Sequence, residues 1–140
     1  MSNIIKQLSI FVNNEPGRLA YIASMLKDCN INMRAFNLAE STEFGILRTI
    51  VDDPDTGYDK LKQKGIIVKK TDVIGVYLDD APGSLFHSAD VLGKAGINIE
   101  YGYAYTYKDK AILFIRVDNP EKAVEALKAQ SIKLVDDSEI

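Results

Sequence analysis

The 140-residue chain has a net charge of −3 and one cysteine, Cys29. That length holds one ordinary domain or two very small ones, and no apolar run approaches the ~20 residues that span a bilayer. The acidic balance argues against a protein that tracks nucleic-acid phosphates, an internal disulfide is impossible, and the opening MSNIIKQ lacks a signal-peptide pattern, so the expected setting is a reducing cytoplasm with no membrane and no nucleic acid as partner.

The elements read in chain order. Leu8, Ile10 and Val12 alternate with Ser9 and Phe11, which predicts a strand with one core face. NNEPGRL, Asn13 to Leu19, turns the chain. Leu19, Ile22, Ala23 and Leu26 then recur at helical spacing. INM at 31–33 opens a second strand, ESTEFG turns it, and Leu47, Thr49 and Val51 carry a third. Pro54 suits the first turn of a second helix, where a missing N–H costs nothing, and this helix uses Tyr58 and Leu61. IIVKK is a short last strand.

The same series then repeats, with YKDK at the hairpin turn and IKLV as the short last strand. Shifted by 66 residues, the chain aligns with itself without gaps: Pro16 falls on Pro82, Gly17 on Gly83, Leu19 on Leu85, Leu26 on Leu92, INM on INI, Pro54 on Pro120 and Leu61 on Leu127. The protein is a duplication, with units expected at 1–71 and 72–140. Each reads β-α-β-β-α-β, the ferredoxin-like order, so the predicted class is α+β with a four-stranded antiparallel sheet and both helices on one face in each unit. Phe11, Ile46 and Ile50, and in the second copy Tyr77, Ile112 and Phe114, are expected on the other face. An apolar face of this kind predicts that the halves pack together and that the chain forms a homodimer. Period-two counting puts Ile97, Ile99, Tyr101, Tyr103, Tyr105 and Tyr107 on one side of the YGYAYTY strand, with Tyr105 and Tyr107 as interface candidates. The first copy reverses the sizes, with Met33, Ala35, Asn37 and Ala39 on one face and Phe36 and Leu38 on the other.

The Pro-Gly corner also carries chemistry. The first N–H groups of a helix have no internal partner, and the dipole there favours an anion by roughly 0.3–1 kcal/mol. Asn13-Asn14 and Asp79-Asp80, just ahead of the two corners, can accept hydrogen bonds from an ammonium. A carboxylate place beside an ammonium place suits a free α-amino acid. The same corner also serves as an ordinary turn, in which Pro fixes φ and Gly relaxes sterics.

NEPGRLAYIASMLKDCNINM and DAPGSLFHSADVLGKAGINI resemble the ACT-domain signature: an acidic or amide residue, a variable position, Pro-Gly, Leu, and about a dozen residues later Ile-Asn-Ile. The resemblance covers nearly the whole chain and is strongest to small stand-alone proteins of two ACT domains. It implies a non-catalytic, allosteric regulatory protein that binds a free amino acid at an interface between ACT units and passes the signal to a regulated enzyme. It also implies roles. Asn14 and Asp80 hold the ligand's polar groups, the backbone of Gly17, Arg18 and Leu19 or of Gly83, Ser84 and Leu85 takes the carboxylate, and Asn32 and Asn98 assist from a facing domain. Because Asp80 can pair an ammonium and Asn14 can only hydrogen-bond it, the second corner is expected to be the tighter site.

Catalysis finds little support. His87 is the one histidine and Cys29 has no histidine in its copy; no cofactor, metal site or catalytic residue is expected. A metallochaperone would need Cys-x-x-Cys in the first loop, and an acylphosphatase-like arginine has no counterpart beyond Arg18, which Ser84 replaces. The four tyrosines of YGYAYTY lack the basic flank of an RNA binder. The alternative is a ligand-free protein–protein interaction adaptor built on the same paired sheets.

Overall fold

The computed structural model describes residues 2–40, 44–107 and 110–140, the side chains of Glu40, Phe44 and Tyr107 excepted. The tips of the hairpins expected at ESTEFG and YKDK therefore lie in part outside the described residues. The elements are β1 (Ile4–Asn13), α1 (Arg18–Asp28), β2 (Met33–Glu40), β3 (Phe44–Val51), α2 (Pro54–Gln63), β4 (Val68–Asp79), α3 (Ser84–Lys94), β5 (Ile99–Tyr107), β6 (Lys110–Val117), α4 (Pro120–Ala129) and a 3-10 turn, Asp137–Glu139. No described helix is long and apolar enough to cross a membrane. The chain forms two compact units, Lys6–Thr71 with Ile140, and Met1–Ile5 with Asp72–Glu139.

In the Lys6–Thr71 unit β3 lies between β1 and β2, antiparallel to both. Leu8, Ile10 and Val12 of β1 share a core with Leu47 and Val51 of β3, Ile22 and Leu26 of α1 and Leu61 of α2. Both helices thus bury their apolar stripe on one sheet face, as the alternation in the sequence requires. The Phe11 N–H donates to the Ile67 carbonyl at 2.9 Å, fastening the end of the unit beside β1.

The Asp72–Glu139 unit repeats the plan. β6 lies between β4 and β5, antiparallel to both. Its core is Ile74, Val76, Leu92, Ile97, Ile115, Val117, Ala123, Leu127 and Leu134. The expected last strand, IKLV, is reduced to one bridge, Val76 with Leu134. It is held by hydrogen bonds from the Tyr77 N–H to the Lys133 carbonyl (3.0 Å) and from the Val135 N–H to the Gly75 carbonyl (2.8 Å). Residues 2 and 137 close this edge through Asp137 N–H to Ser2 O at 2.7 Å.

Three features depart from the sequence-based expectation. IIVKK and the strand after it are one element: β4 runs unbroken for 12 residues across the repeat boundary. The residues expected on an open sheet face include two that are buried, Ile50 at 0% and Phe114 at 1% exposure. The third is the face assignment of β2 and β5, which a bulge in each strand corrects. Pairing slips between Met33 and Ala35, and between Ile99 and Tyr101. An extra residue flips every later side chain to the other face. Ile99 therefore packs on the helix side with Leu113 and Ile115, whereas Tyr101, Tyr103 and Tyr105 turn away from it. Tyr103 and Tyr105 lie against Phe114, ring centroids 5.8 and 6.4 Å apart. A Cβ on Gly102 would meet Ile115 at 3.1 Å, which places Gly102 and Ala104 on the helix side. In the first copy Met33 likewise shares its face with Phe36 and Leu38, not with Ala35, Asn37 and Ala39. The reversal of sizes between copies is real, but it is read from faces that the bulges have exchanged. The Tyr107 side chain lies outside the described residues.

Candidate functional site

The two Pro-Gly corners are built alike. Asn13 and Asp79 end their strands, and each accepts a hydrogen bond at its carbonyl from the N–H two residues on, Glu15 or Ala81, at 2.9 Å. Gly17 (φ 84°) and Gly83 (φ 93°) then take the left-handed conformation and start α1 and α3 with no side-chain cap. The second helices start differently. The Asp53 side chain accepts from the Thr56 N–H and Asn119 from the Lys122 N–H, each at 3.2 Å, with proline in the first turn. So α2 and α4 each cap one N–H with a side chain and leave one, that of Asp55 or Glu121, without a partner among the described residues, while α1 and α3 each leave two, those of Leu19 and Ala20 and of Leu85 and Phe86.

The space beside the two corners is unequal. The first copy has a cavity of about 80 Å³ lined by Val12, Asn13, Asn14, Glu15, Leu19, Leu38 and Gly45. The second has about 700 Å³, walled by Tyr77 to Asp79, Ala81 to Ser84, His87, Ser88, Lys110 and Ser131 to Lys133. Ser88 is 4% exposed and has no hydrogen-bond partner among the described residues. One repeat earlier stands Ile22, fully buried in the core. Lys133 Nζ sits 4.9 Å from the centre of the Tyr77 ring. The Tyr77 hydroxyl donates to Glu139 Oε2 at 2.8 Å. Burial, and then this bond, push the Tyr77 hydroxyl up to about 12. Glu139 is held below its ordinary range by the Asp136 N–H and then by Tyr77.

The residues singled out from the sequence fall as follows. Gly83 and Ser84 line the larger cavity, Leu85 is exposed on the next position, and Asp80 is exposed outside the lining, where Asp79 stands instead. Asn14 and Leu19 line the smaller cavity beside Gly17. Arg18 lies over the Tyr21 ring at 5.0 Å, with its Nε 3.7 Å from Glu15 Oε1. Asn32 and Asn98 are not brought to the corner of their own unit. They sit past the far ends of α1 and α3, helices of 11 residues and so roughly 16 Å long. There their backbones exchange hydrogen bonds with Asp52 and Asp118: Asn32 N–H to Asp52 Oδ1 at 3.0 Å, and Asn98 N–H to Asp118 Oδ1 at 3.1 Å. Tyr77, Ser88, Lys110 and Lys133 were not singled out. Reading the two copies against each other for polarity, rather than for identity, would have marked all four.

A duplicated α+β chain with glycine-started, uncapped helices belongs to a known class. The chain is a member of the ACT domain pair family, whose model matches residues 3–140. It is similar over its length to a solved protein of Bacteroides thetaiotaomicron, with 40% identity and a TM-score of 0.92, covering 95% of this chain and 92% of that one. The ligand-free regulatory subunit of aspartate kinase from Thermus thermophilus shares the fold at 16% identity and TM-score 0.65, covering 91% and 93%. Aspartate kinase from Synechocystis does so at 17% and 0.60, covering 97% of this chain and 28% of that one. No curated protein matches.

Proposed function

We propose that this ACT pair is a non-catalytic regulatory protein that binds a free amino acid at the Pro-Gly corner of the second copy and passes its occupancy to a partner enzyme. One observation carries the reading. α1 and α3 start at an uncapped glycine and leave two first-turn N–H groups each without a partner among the described residues, α3 beside a cavity whose lining holds Asp79 and Ser88. The N–H groups of Leu85 and Phe86 receive the ligand carboxylate and Asp79 receives the ammonium, with Asp80 outside the cavity lining. The corner at Asn14, Gly17 and Leu19 is the weaker site. Each unit, 1–71 and 72–140, is taken as a ferredoxin-like ACT fold, acting in the cytoplasm as part of a homodimer.

The test is a thermal-shift and calorimetric screen of the standard amino acids on the intact chain. A ligand at 100 times its dissociation constant adds about 2.7 kcal/mol to stability. Absence of heat and of any shift at millimolar levels overturns the reading.

A second reading, a ligand-free docking module, draws on Leu85 and Phe86, which are 57% and 71% exposed at the start of α3. Its signature is a partner complex whose affinity ignores every amino acid added.

A further inference from the structure

The second-copy cavity differs from its counterpart in one consistent direction. At four positions one repeat apart the first copy has Phe11, Ile22, Phe44 and Ile67, all apolar, and the second has Tyr77, Ser88, Lys110 and Lys133. All four second-copy residues line the cavity.

Resting on the reading that this corner takes a free amino acid, we propose that the ligand is an acidic amino acid, with a carboxylate on its side chain. The charges decide it. The lining holds two ammonium groups, Lys110 and Lys133, and one carboxylate, Asp79. An acidic amino acid carries two carboxylates and one ammonium, the complement of that set. A neutral amino acid leaves one lysine unanswered, and a basic one adds a third cation to two. Complementary charge lining a site selects among ligands even where its groups stay exposed, as these three do. Glu139 stands outside the lining and accepts from the Tyr77 hydroxyl and from the Asp136 N–H, each at 2.8 Å; its charge also acts on Lys133, so Lys110 is the lysine whose partner the ligand must supply. The cation–π seat on Tyr77 fixes where Lys133 stands. Lys110 is the direct ladder partner of Asp79 at the strand end, so a cation and an anion are presented side by side. Ser88, 4% exposed, adds a hydroxyl to the lining.

Titration calorimetry on the intact chain compares aspartate and glutamate with asparagine and glutamine, which match them in shape and lack the charge. One acid should bind about tenfold or more tighter than its amide, the effect of one charge-assisted hydrogen bond. The double variant Lys110→Gln, Lys133→Gln, with its fold checked by circular dichroism, should erase the preference for the acid over its amide. An amide that binds as well as its acid, or a preference that survives in the double variant, overturns the proposal. Binding of neutral amino acids alone overturns it while leaving the amino-acid site in place. Binding of no amino acid overturns both.

Discussion

Ser88 holds in the second copy the position that Ile22 holds in the first: Ile22 is fully buried in its core, and Ser88, 4% exposed, lines a cavity instead. The same helix turn is spent on packing in one copy and on an opening in the other. Ile22→Ser should therefore destabilise the chain by about 2–4 kcal/mol, the range for truncating a buried aliphatic and leaving a void. Ser88→Ile should raise stability by about 1–2 kcal/mol through apolar burial, and abolish amino-acid binding. Urea unfolding and calorimetry on both variants check this. A Ser88→Ile protein that binds as the wild type does would show that the cavity is not where the ligand sits.

The two corner glycines test the backbone alone. A Cβ at Gly17 or Gly83 would meet nothing within 4 Å, so substitution brings no clash. Their φ values, 84° and 93°, lie in the left-handed region. Gly17→Ala and Gly83→Ala should each cost about 1–2 kcal/mol, and by similar amounts. Unequal losses in urea unfolding would mean that one corner carries a contact the other lacks.

Tyr77 gives a pH signature. Its folded value is pushed up to about 12 from 10.0 by burial and by the Glu139 bond. A raised value means that the neutral hydroxyl is favoured in the folded chain. The associated stability is whole below pH 10 and is lost as pH rises from 10 towards 12. Of the seven tyrosines, one should titrate late in an ultraviolet absorbance titration of the folded chain, and Tyr77→Phe should remove that late step. The opposite sign holds for Glu139, whose value is lowered, so its share is present above its ordinary range and fades as pH falls through the folded value. A Tyr77→Phe chain that keeps the late step would contradict the Tyr77–Glu139 bond as its cause.

Much of the fold was legible because it rests on periodicities that local sequence carries. Leu8-Ile10-Val12 and Leu19-Ile22-Leu26 declare a strand and a helix, and Pro54 and Pro120 declare the starts of α2 and α4, where they are found. The bulges near Ala35 and Tyr101 were not legible. A bulge is one unpaired residue, and no residue type at Arg34 or Glu100 announces it, yet it reverses the face of every tyrosine that follows. The corner itself was legible from its glycines. The contents of its wall were not, because Lys133 and Ser88 come from segments far apart in sequence, and identity between copies was weighed where difference carried the information.

Asp79 and Asp80 separate the two ways of choosing a site residue. The family resemblance points to Asp80, two positions before Pro82. The geometry points to Asp79, which ends β4, pairs across the ladder with Lys110 and stands in the cavity wall, while Asp80 is exposed outside it. Both carboxylates are exposed, so position rather than burial separates them: Asp79 lines the cavity opposite Lys110 and Asp80 does not. Asp79→Asn should weaken amino-acid binding by about 1.5–3 kcal/mol, the worth of a hydrogen bond to a charged group. Asp80→Asn should cost less than about 1 kcal/mol. Both replacements keep size and backbone preference, so folding should change little in either. Calorimetric titration of the two variants with the wild-type ligand reads the order directly. If Asp80→Asn loses more than Asp79→Asn, the ammonium is held at the mouth of the cavity rather than on its wall, and the charge pairing of Lys110 with the ligand would have to be redrawn from that point.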